Sequence, residues 1–122
     1  MTRVIFDSSF LMAVVEAPTT WFEDIVDRAG KFDPVLLECV GEELRRLASG
    51  KGRRSRTARV ALDLSAQVHR MACGGAGVDD EIISAAAAEG AFVATTDAEL
   101  ARAAEAAHLR VISLRSGRVG LK

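Results

Sequence analysis

Residues 79–107, DDEIISAAAAEGAFVATTDAELARAAEAA, decide the fold class, because they hold a helix, a strand and a second helix in direct succession. The alanine-rich helical pattern ends at Gly90, and glycine commonly terminates helices. The run AFVAT, 91–95, is short and apolar and predicts a buried strand. Asp97 then caps the next helix. Helices that alternate with buried strands are typical of α/β proteins with a parallel sheet.

The same alternation extends through the rest of the chain. Apolar runs bounded by turn residues predict further strands at 2–7, 34–38, 68–72 and 109–114. Helical periodicity predicts further helices at 9–16, 20–29, 39–49 and 55–67. We therefore expect one α/β domain over residues 1–122, with a parallel sheet covered on both faces. In such sheets the ligand crevice lies beyond the carboxyl ends of the strands.

Proline, glycine and serine mark the expected breaks between these elements. Pro18 separates the first two helices, and Asp33-Pro34 predicts a turn before the second strand. The stretch 49–56 predicts a loop, in which Ser55 can cap the helix that follows. The glycines within 74–77 predict a flexible connection. They lack a following Lys-Ser/Thr and therefore do not form a phosphate-binding P-loop.

The composition is that of a soluble globular domain, with 49% apolar and 27% charged residues in a chain of 122. Acidic residues outnumber basic ones by 17 to 16, so no overall positive charge indicates a nucleic-acid partner. The charges are nevertheless segregated along the chain. Residues 1–44 carry a net charge of −6, whereas residues 45–59 hold seven bases and no acid.

The cysteines and the apolar runs bear on the cellular compartment in which the protein is expected to reside. Cys39 and Cys73 stand 34 residues apart without a Cys-x-x-Cys pair, which excludes zinc ribbons and dithiol redox motifs. We expect two buried thiols in a reducing cytosol. The run FLMAVV, 10–15, is too short and too closely flanked by acids for a signal peptide or a membrane span. The sequence thus predicts a cytoplasmic protein without a membrane partner.

Acidic residues gather where parallel strands would end. Several lie at those ends or on the neighbouring helices: Asp7, Glu42, Glu43, Asp79, Asp80 and Asp97. Clustered carboxylates repel one another unless a cation compensates their charge. Mg²⁺ and Mn²⁺ prefer carboxylate and water oxygens and need neither His nor Cys. The presence of only two histidines in the chain fits such a site.

Each acid also has a purely structural interpretation. Asp79 and Asp97 are good N-caps, and Glu42 and Glu43 can be ordinary helix surface residues. Asp7 is harder to explain in this way, because it follows a mostly apolar strand and therefore lies near the core. The joint arrangement is more informative than any single member.

Three ordered motifs resemble the PIN-domain family of metal-dependent nucleases. VIFDSSFLM, 4–12, resembles the family's strand followed by Asp-Thr-Ser/Asn-x-Leu, and VGEELRRLA, 40–48, resembles its Val-x-x-Glu-Leu helix. The third motif, VDDEIISAAAAEGAFVATTDAEL, 78–100, resembles its Asp-x-x-Ile helix, apolar strand and Thr-x-Asp ending. With adjacent aspartates and a basic segment, the chain is most similar to archaeal PIN-domain ribonucleases related to rRNA-processing endonucleases. It is less similar to the toxins of toxin–antitoxin pairs.

The resemblance implies a three-layer α/β/α sandwich with a parallel five-stranded sheet in the order 3-2-1-4-5. It implies hydrolysis of RNA phosphodiester bonds with Mg²⁺ or Mn²⁺. The catalytic and metal-binding residues carried over are Asp7, Glu43, Asp79 and Asp97, with Asp80 as a weaker metal ligand. The spacing back from the closing motif selects Asp79 over Asp80. Ser9 and Thr95 are implied as hydrogen-bonding residues behind the acids, and Ser8 stands where the family more often has Thr.

A basic segment follows the second acidic motif. Its proposed RNA-binding members are Arg45, Arg46, Lys51, Arg53, Arg54 and Arg56. We interpret the segment as an arm that contacts phosphates beside the acidic site. Few aromatic residues accompany it, so base stacking is not its mode, and phosphate contacts carry little sequence information. The alternative is a solvated loop between two helix ends.

The leading hypothesis is thus an endoribonuclease of RNA processing. A toxin ribonuclease with an antitoxin partner and an RNA-binding or assembly factor without catalysis stay open as alternatives. A phosphoryl-receiver domain is disfavoured, because Asp7 is followed by serines and the last strand leads to Arg115. Trp21 and Phe22 belong either to the core or to a homodimer patch.

Overall fold

A computed structural model describes residues 1–17 and 19–122. Its strands form one sheet and have these bounds: β1 (Thr2–Phe6), β2 (Phe32–Leu37), β3 (His69–Met71), β4 (Phe92–Ala94), β5 (Val111–Arg115) and β6 (Arg118–Leu121). The order across the sheet is β3-β2-β1-β4-β5-β6. The first five strands run parallel, and β6 is antiparallel to β5. The expected order 3-2-1-4-5 is confirmed, with one additional strand.

Helices flank the sheet, as the buried strands require. Their bounds are α1 (Ser8–Glu16), α2 (Trp21–Ala29), α3 (Glu38–Ala48), α4 (Arg53–Leu64), α5 (Val78–Glu89) and α6 (Ala98–Ala106). α1, α3 and α4 pack against one another, and α5 packs against α6. Val4 and Ile5 of β1 are fully buried, because layers cover both faces of the central strand. None of the helices in the described ranges is long and apolar enough to cross a membrane.

The strand order reverses between β1 and β4. The chain moves outward from β1 through β2 to β3, and then crosses back to place β4 on the other side of β1. The backbone N–H of Asp7 donates to the carbonyl oxygen of Ala94 at 2.9 Å, which holds the two carboxyl ends together. Parallel α/β sheets bind their ligands at this kind of switch point.

The sixth strand was not predicted. β5 and β6 form a hairpin whose two turn residues, Ser116 and Gly117, both have positive φ angles, of 49° and 75°. Two-residue turns with positive φ match the twist of antiparallel strands. A strand of four residues that contains Gly120 carries little periodic signal, and the expectation ended the last strand at Leu114.

The turn expected at Asp33-Pro34 is wrong, because both residues lie within β2. Pro34 pairs with Val4 of β1, whereas β3 begins only opposite Val35. The missing N–H of proline therefore costs no hydrogen bond to β3.

The loop expected at 49–56 is also wrong in its second half. α4 begins at Arg53, with Gly52 at a φ of 101° as its N-cap residue. Ser55 is not the cap but a buried residue of the first turns, and its hydroxyl donates to the carbonyl oxygen of Lys51. The break expected at Pro18 lies outside the described residues.

The cysteines are not free thiols. Cys39, in the first turn of α3, forms a disulfide with Cys73 in the connection from β3 to α5. The expectation of two buried thiols is therefore wrong: each cysteine is half-buried and bonded to the other. Sequence separation alone could not reveal this pairing, because parallel crossovers bring distant segments together.

The glycine-rich connection at 74–77, which was expected to be flexible, is fixed by hydrogen bonds. The Glu81 carboxylate accepts hydrogen bonds from the backbone N–H of Gly74 at 2.7 Å and from that of Ala76 at 3.0 Å. These bonds fix the segment that leads from the disulfide into α5.

Candidate active site

A polar cavity of about 410 Å³ opens at the carboxyl ends of β1 and β4. Its walls come from α1, α3, α4, α5 and the start of α6, and they are formed by Asp7, Ser8, Ser9, Met12, Ala13, Glu16, Glu43, Arg54, Asp79, Thr96 and Asp97. The four main acids expected to share a site, Asp7, Glu43, Asp79 and Asp97, thus face one cavity. Asp80 does not line it.

Asp7 is the buried centre of the cavity, with 5% of its surface exposed. Its Oδ2 accepts hydrogen bonds from the hydroxyl of Ser9 at 2.5 Å and from that of Thr95 at 2.9 Å. The Ser9 hydroxyl also accepts from the backbone N–H of Thr96 at 3.0 Å. Asp7 has a fixed orientation because two hydroxyl groups from different elements hold the same oxygen. Ser9 and Thr95 thus both contact Asp7 through their hydroxyl groups.

Glu43 reaches the cavity from α3 and is held by Ser8. The Ser8 hydroxyl donates to Oε1 of Glu43 at 2.6 Å across 35 residues of sequence. Ser8 was expected only as a departure from the family pattern, so its contact with Glu43 was missed. Its place directly after Asp7, at the helix start facing the crevice, was the available signal.

Asp97 is both a helix cap and a wall of the cavity. Its Oδ1 accepts from the backbone N–H of Glu99 at 2.8 Å and of Leu100 at 3.4 Å. The N–H of Asp97 itself donates to the Thr95 hydroxyl at 3.0 Å. The structural and functional interpretations are therefore compatible, since both cap bonds use Oδ1 and leave Oδ2 outside the cap.

Asp79 lies in the first turn of α5, but Gly77 and not an aspartate is the N-cap residue. The expected capping role of Asp79 is thus wrong. Burial raises the pKa of Asp79, and the negative charges of Asp7, Asp97, Glu43 and Asp80 raise it further, in that order of size. The cavity therefore disfavours one more negative charge in the absence of a cation.

Glu16 is a further acid of the cavity that the sequence analysis missed. Ser9, Met12, Ala13 and Glu16 follow the i, i+3, i+4, i+7 spacing of one helix face, so α1 turns a single side to the cavity. That spacing, counted from Ser9, was the signal that could have identified Glu16.

Most of the basic segment stays outside the cavity. Arg54 lines its wall, and the other members, Arg45, Arg46, Lys51, Arg53 and Arg56, are exposed on the end of α3, the short loop and the start of α4. The neighbouring Arg59 is engaged internally, because its Nη1 donates to the carbonyl oxygen of Ala48 at 2.7 Å. Arg54 is thus the member of the basic segment that shares the cavity with the carboxylates.

The donor set fits a hard divalent cation in kind. All candidate ligands are carboxylates and hydroxyls, which Mg²⁺ and Mn²⁺ prefer. Within residues 1–17 and 19–122, however, no three His, Cys, Asp or Glu side chains stand close enough together to form a ready metal cluster. Mg²⁺ commonly retains several waters and takes only one or two carboxylates, which suits an open cavity of this size.

Comparisons with known proteins identify the family. The family model described as a PIN like domain matches residues 4–117. A PIN domain endonuclease, Utp24, superposes with a TM-score of 0.75 at 23% identity, over 98% of this chain and 90% of that one. PAE2754 from Pyrobaculum aerophilum superposes with a TM-score of 0.51 at 16% identity, over 81% and 77% of the two chains. A search of curated proteins finds no significant match. Because the family model spans nearly the whole chain, this protein belongs to the PIN-like domain family.

Proposed function

We propose that this protein is a metal-dependent endoribonuclease that hydrolyses RNA phosphodiester bonds in the cavity beyond β1 and β4. The observation that carries the proposal is the convergence of acidic side chains on one cavity whose wall also holds Arg54. Carboxylates alone would repel an RNA backbone. An arginine at the wall and a divalent cation among the acids together make the cavity suitable for a phosphate.

The residues that would hold the cation are Asp7, Glu43, Asp79 and Asp97. Two hydroxyl groups fix Asp7 at its Oδ2, and α6 fixes Asp97 through its cap. Once held, Mg²⁺ or Mn²⁺ would supply an activated water and neutralise the phosphate oxygens. Rigid carboxylates keep the reacting groups oriented, which lowers the entropic part of the barrier.

We assign different tasks to the other polar groups. Glu43, held at one oxygen by Ser8, orients the attacking water with its second oxygen or contributes to a second metal position. Arg54 binds a non-bridging phosphate oxygen, since a guanidinium matches phosphate geometry with paired donors. Ser9 and Thr95 act on the reaction only through Asp7.

For the cellular role we propose RNA processing, of rRNA in particular, in the cytoplasm. The adjacent aspartates and the basic segment support this choice, because these features set the chain apart from the toxin type. The intramolecular disulfide is compatible with an intracellular location in organisms whose cytosolic proteins are rich in disulfides. A homodimer through the 45%-exposed Phe22 belongs to the same proposal.

The proposal is tested with a neighbouring pair of variants. Glu43→Gln removes the carboxylate in the cavity, whereas Glu42→Gln makes the same change on the exposed neighbour. We expect wild type and Glu42→Gln to cleave a structured RNA with Mn²⁺ but not with EDTA. Glu43→Gln should lose on the order of a hundredfold in rate, about 2.7 kcal/mol in the barrier.

The alternatives predict other results. Cleavage that survives unchanged in Glu43→Gln and in EDTA would come from a contaminating nuclease. Tight RNA binding without cleavage in any variant would contradict the enzyme and favour an assembly factor. Fragments that end in a 2′,3′-cyclic phosphate would indicate attack by the 2′-hydroxyl and contradict an activated water.

A further inference from the structure

A second, smaller cleft of about 90 Å³ adjoins the acid cavity. The two share Thr96 and Asp97 as a common wall, so a ligand that crosses this wall enters both. On its far side the cleft is lined by residues of α6 and β5, among them Glu105, Ser113 and Arg115, and by Lys122. The proposed function gives no role to this cleft.

The β5–β6 hairpin presents two arginines at its tip. Arg115 ends β5, and Arg118, which begins β6, is its direct partner in the strand register. Both are exposed, and no described carboxylate lies within 4.0 Å of either guanidinium. Arg115 and Asp97 both line the cleft, whereas Arg118 lines a different cavity with residues of α2. Arg115 is therefore the arginine of the hairpin that lines the cleft, and Arg118 is a control residue of the same type outside it.

The acids of the cavity therefore have cations on two sides. Arg54 stands in the wall formed by α4, and Arg115 stands beyond the shared wall of Thr96 and Asp97. A polynucleotide carries a phosphate at every residue, so a strand whose reacting phosphate lies over the acids has other phosphates on both sides. Exposed guanidinium groups without carboxylate partners are suitable donors for those phosphates.

The cleft alone is not an anion site. Its two cations, Arg115 and Lys122, are balanced by the carboxylates of Asp97 and Glu105. A free phosphate gains no net attraction there, whereas a phosphate of a strand already held at the acid cavity is delivered to Arg115 at a high effective concentration.

Resting on the proposed nuclease function, we propose that Arg115 binds a backbone phosphate of the RNA on the side of the scissile bond opposite to Arg54. The strand then runs from the start of α4 across the acid cavity to the β5–β6 hairpin. Arg115 is a positioning residue in this arrangement, because it fixes the register of the strand and does not touch the reacting atoms.

The test compares Arg115→Gln with Arg118→Gln, which removes the same charge from the same hairpin. Binding of a fluorescent single-stranded RNA is measured by anisotropy over a range of monovalent salt concentrations, with Ca²⁺ held constant as the divalent cation for the acid cavity and the RNA shown to be intact after each titration. Arg115→Gln should flatten the slope of log K against log salt by about 0.7 and weaken binding several-fold. Arg118→Gln should match wild type, and Arg115→Lys should restore most of the slope because it restores the charge. Arg54→Gln combined with Arg115→Gln should lose about 1.4 in slope, since the two contacts are independent.

Equal slopes for Arg115→Gln and Arg118→Gln would overturn the inference, whether both change or neither does. Melting curves establish that each variant is folded. Metal-dependent cleavage by wild type is measured separately. If the salt slopes of Arg115→Gln and Arg118→Gln differ but wild type cleaves no RNA, the proposed strand path is supported and the nuclease function is contradicted. If wild type cleaves RNA but the two slopes are equal, the nuclease function is supported and the strand path is contradicted.

Discussion

At the scale of single residues, hydroxyl groups arrange the acids. Ser8 holds Glu43, and Ser9 and Thr95 hold Asp7, so three small side chains fix two carboxylates from different elements. Among residues 1–17 and 19–122, no hydroxyl group holds the Asp79 carboxylate in this way, and the pKa of Asp79 is raised. Asp79 is therefore the acid whose behaviour depends most directly on whether a cation is present.

The adjacent aspartates of α5 should differ in catalysis. Asp79→Asn should lose on the order of a hundredfold or more in metal-dependent cleavage, because Asp79 lines the cavity. Asp80→Asn should stay within about tenfold of wild type, because Asp80 lies outside the lining residues. Both are measured at saturating Mn²⁺ on one RNA, with circular dichroism to establish folding. Inactivity of Asp80→Asn instead would show that the register assigned to this helix is off by one residue.

The raised pKa of Asp79 also predicts a pH dependence of stability without metal. Between its ordinary value of 3.8 and the raised value, the native state binds more protons than the unfolded state. The free energy of unfolding contributed by Asp79 therefore falls as the pH rises through this window, and the penalty is complete above it. Asp79→Asn should be more stable than wild type at pH 7, by less than about 1 kcal/mol, because the side chain is only partly buried and solvent screens its charge.

Urea unfolding at several pH values checks this difference. The gain of Asp79→Asn over wild type should vanish below pH 3.8, where the wild-type carboxyl is protonated in both states. Asp80→Asn is the matched control. Its free energy of unfolding should rise less than that of Asp79→Asn, because the charge of Asp80 contributes least to the raised pKa of Asp79. A gain of Asp79→Asn that persists in acid would contradict charge repulsion as its cause.

At the scale of elements, the start of α4 has an unfavourable charge distribution. Its first turns carry Arg53, Arg54 and Arg56 and no acid. The N-terminal end of a helix bears a partial positive charge, so cations there reduce helix stability. An anion bound at this end of α4 would compensate these charges.

Replacement of these three arginines by Ala should weaken RNA binding without lowering the stability of the fold. The slope of log K against log salt should flatten by about two units, at about 0.7 per contact with a single strand, and binding should weaken for all RNA sequences alike. The melting temperature should stay constant or rise, because the dipole is relieved and Ala favours helices. An unchanged slope would identify the basic segment as a solvated surface.

At the scale of the whole molecule, metal should stabilise the fold. An ion that binds only the native state raises the free energy of unfolding by mass action, by about 2.7 kcal/mol at a hundred times its dissociation constant. Melting curves with and without millimolar Mn²⁺ should therefore show an upward shift in wild type and a smaller one in Asp7→Asn. An equal shift in both would place the ion elsewhere on the surface.

Local patterns predicted the sheet better than they predicted contacts between distant segments. The apolar runs of β1 and β4 are self-evident, and the family motifs supplied the strand order. β6 was missed because a strand of four residues shows too little periodicity. The turn at Asp33-Pro34 was wrongly predicted, because a proline fits within β2 only where β3 does not pair with it, and the sequence does not show where β3 starts. The position of Ser8 after Asp7 indicates that it faces the crevice, but its bond to Glu43 depends on the packing of α1 against α3, which local patterns do not encode.

The disulfide between Cys39 and Cys73 has a consequence for the covalent architecture. It closes the intervening chain into a loop that contains all seven bases of residues 45–59. Trypsin-like peptidases cleave after such bases, and Lys51 lies exposed between α3 and α4. A molecule nicked there would still be one covalent entity, with every strand still attached, and would separate into two fragments only under reduction.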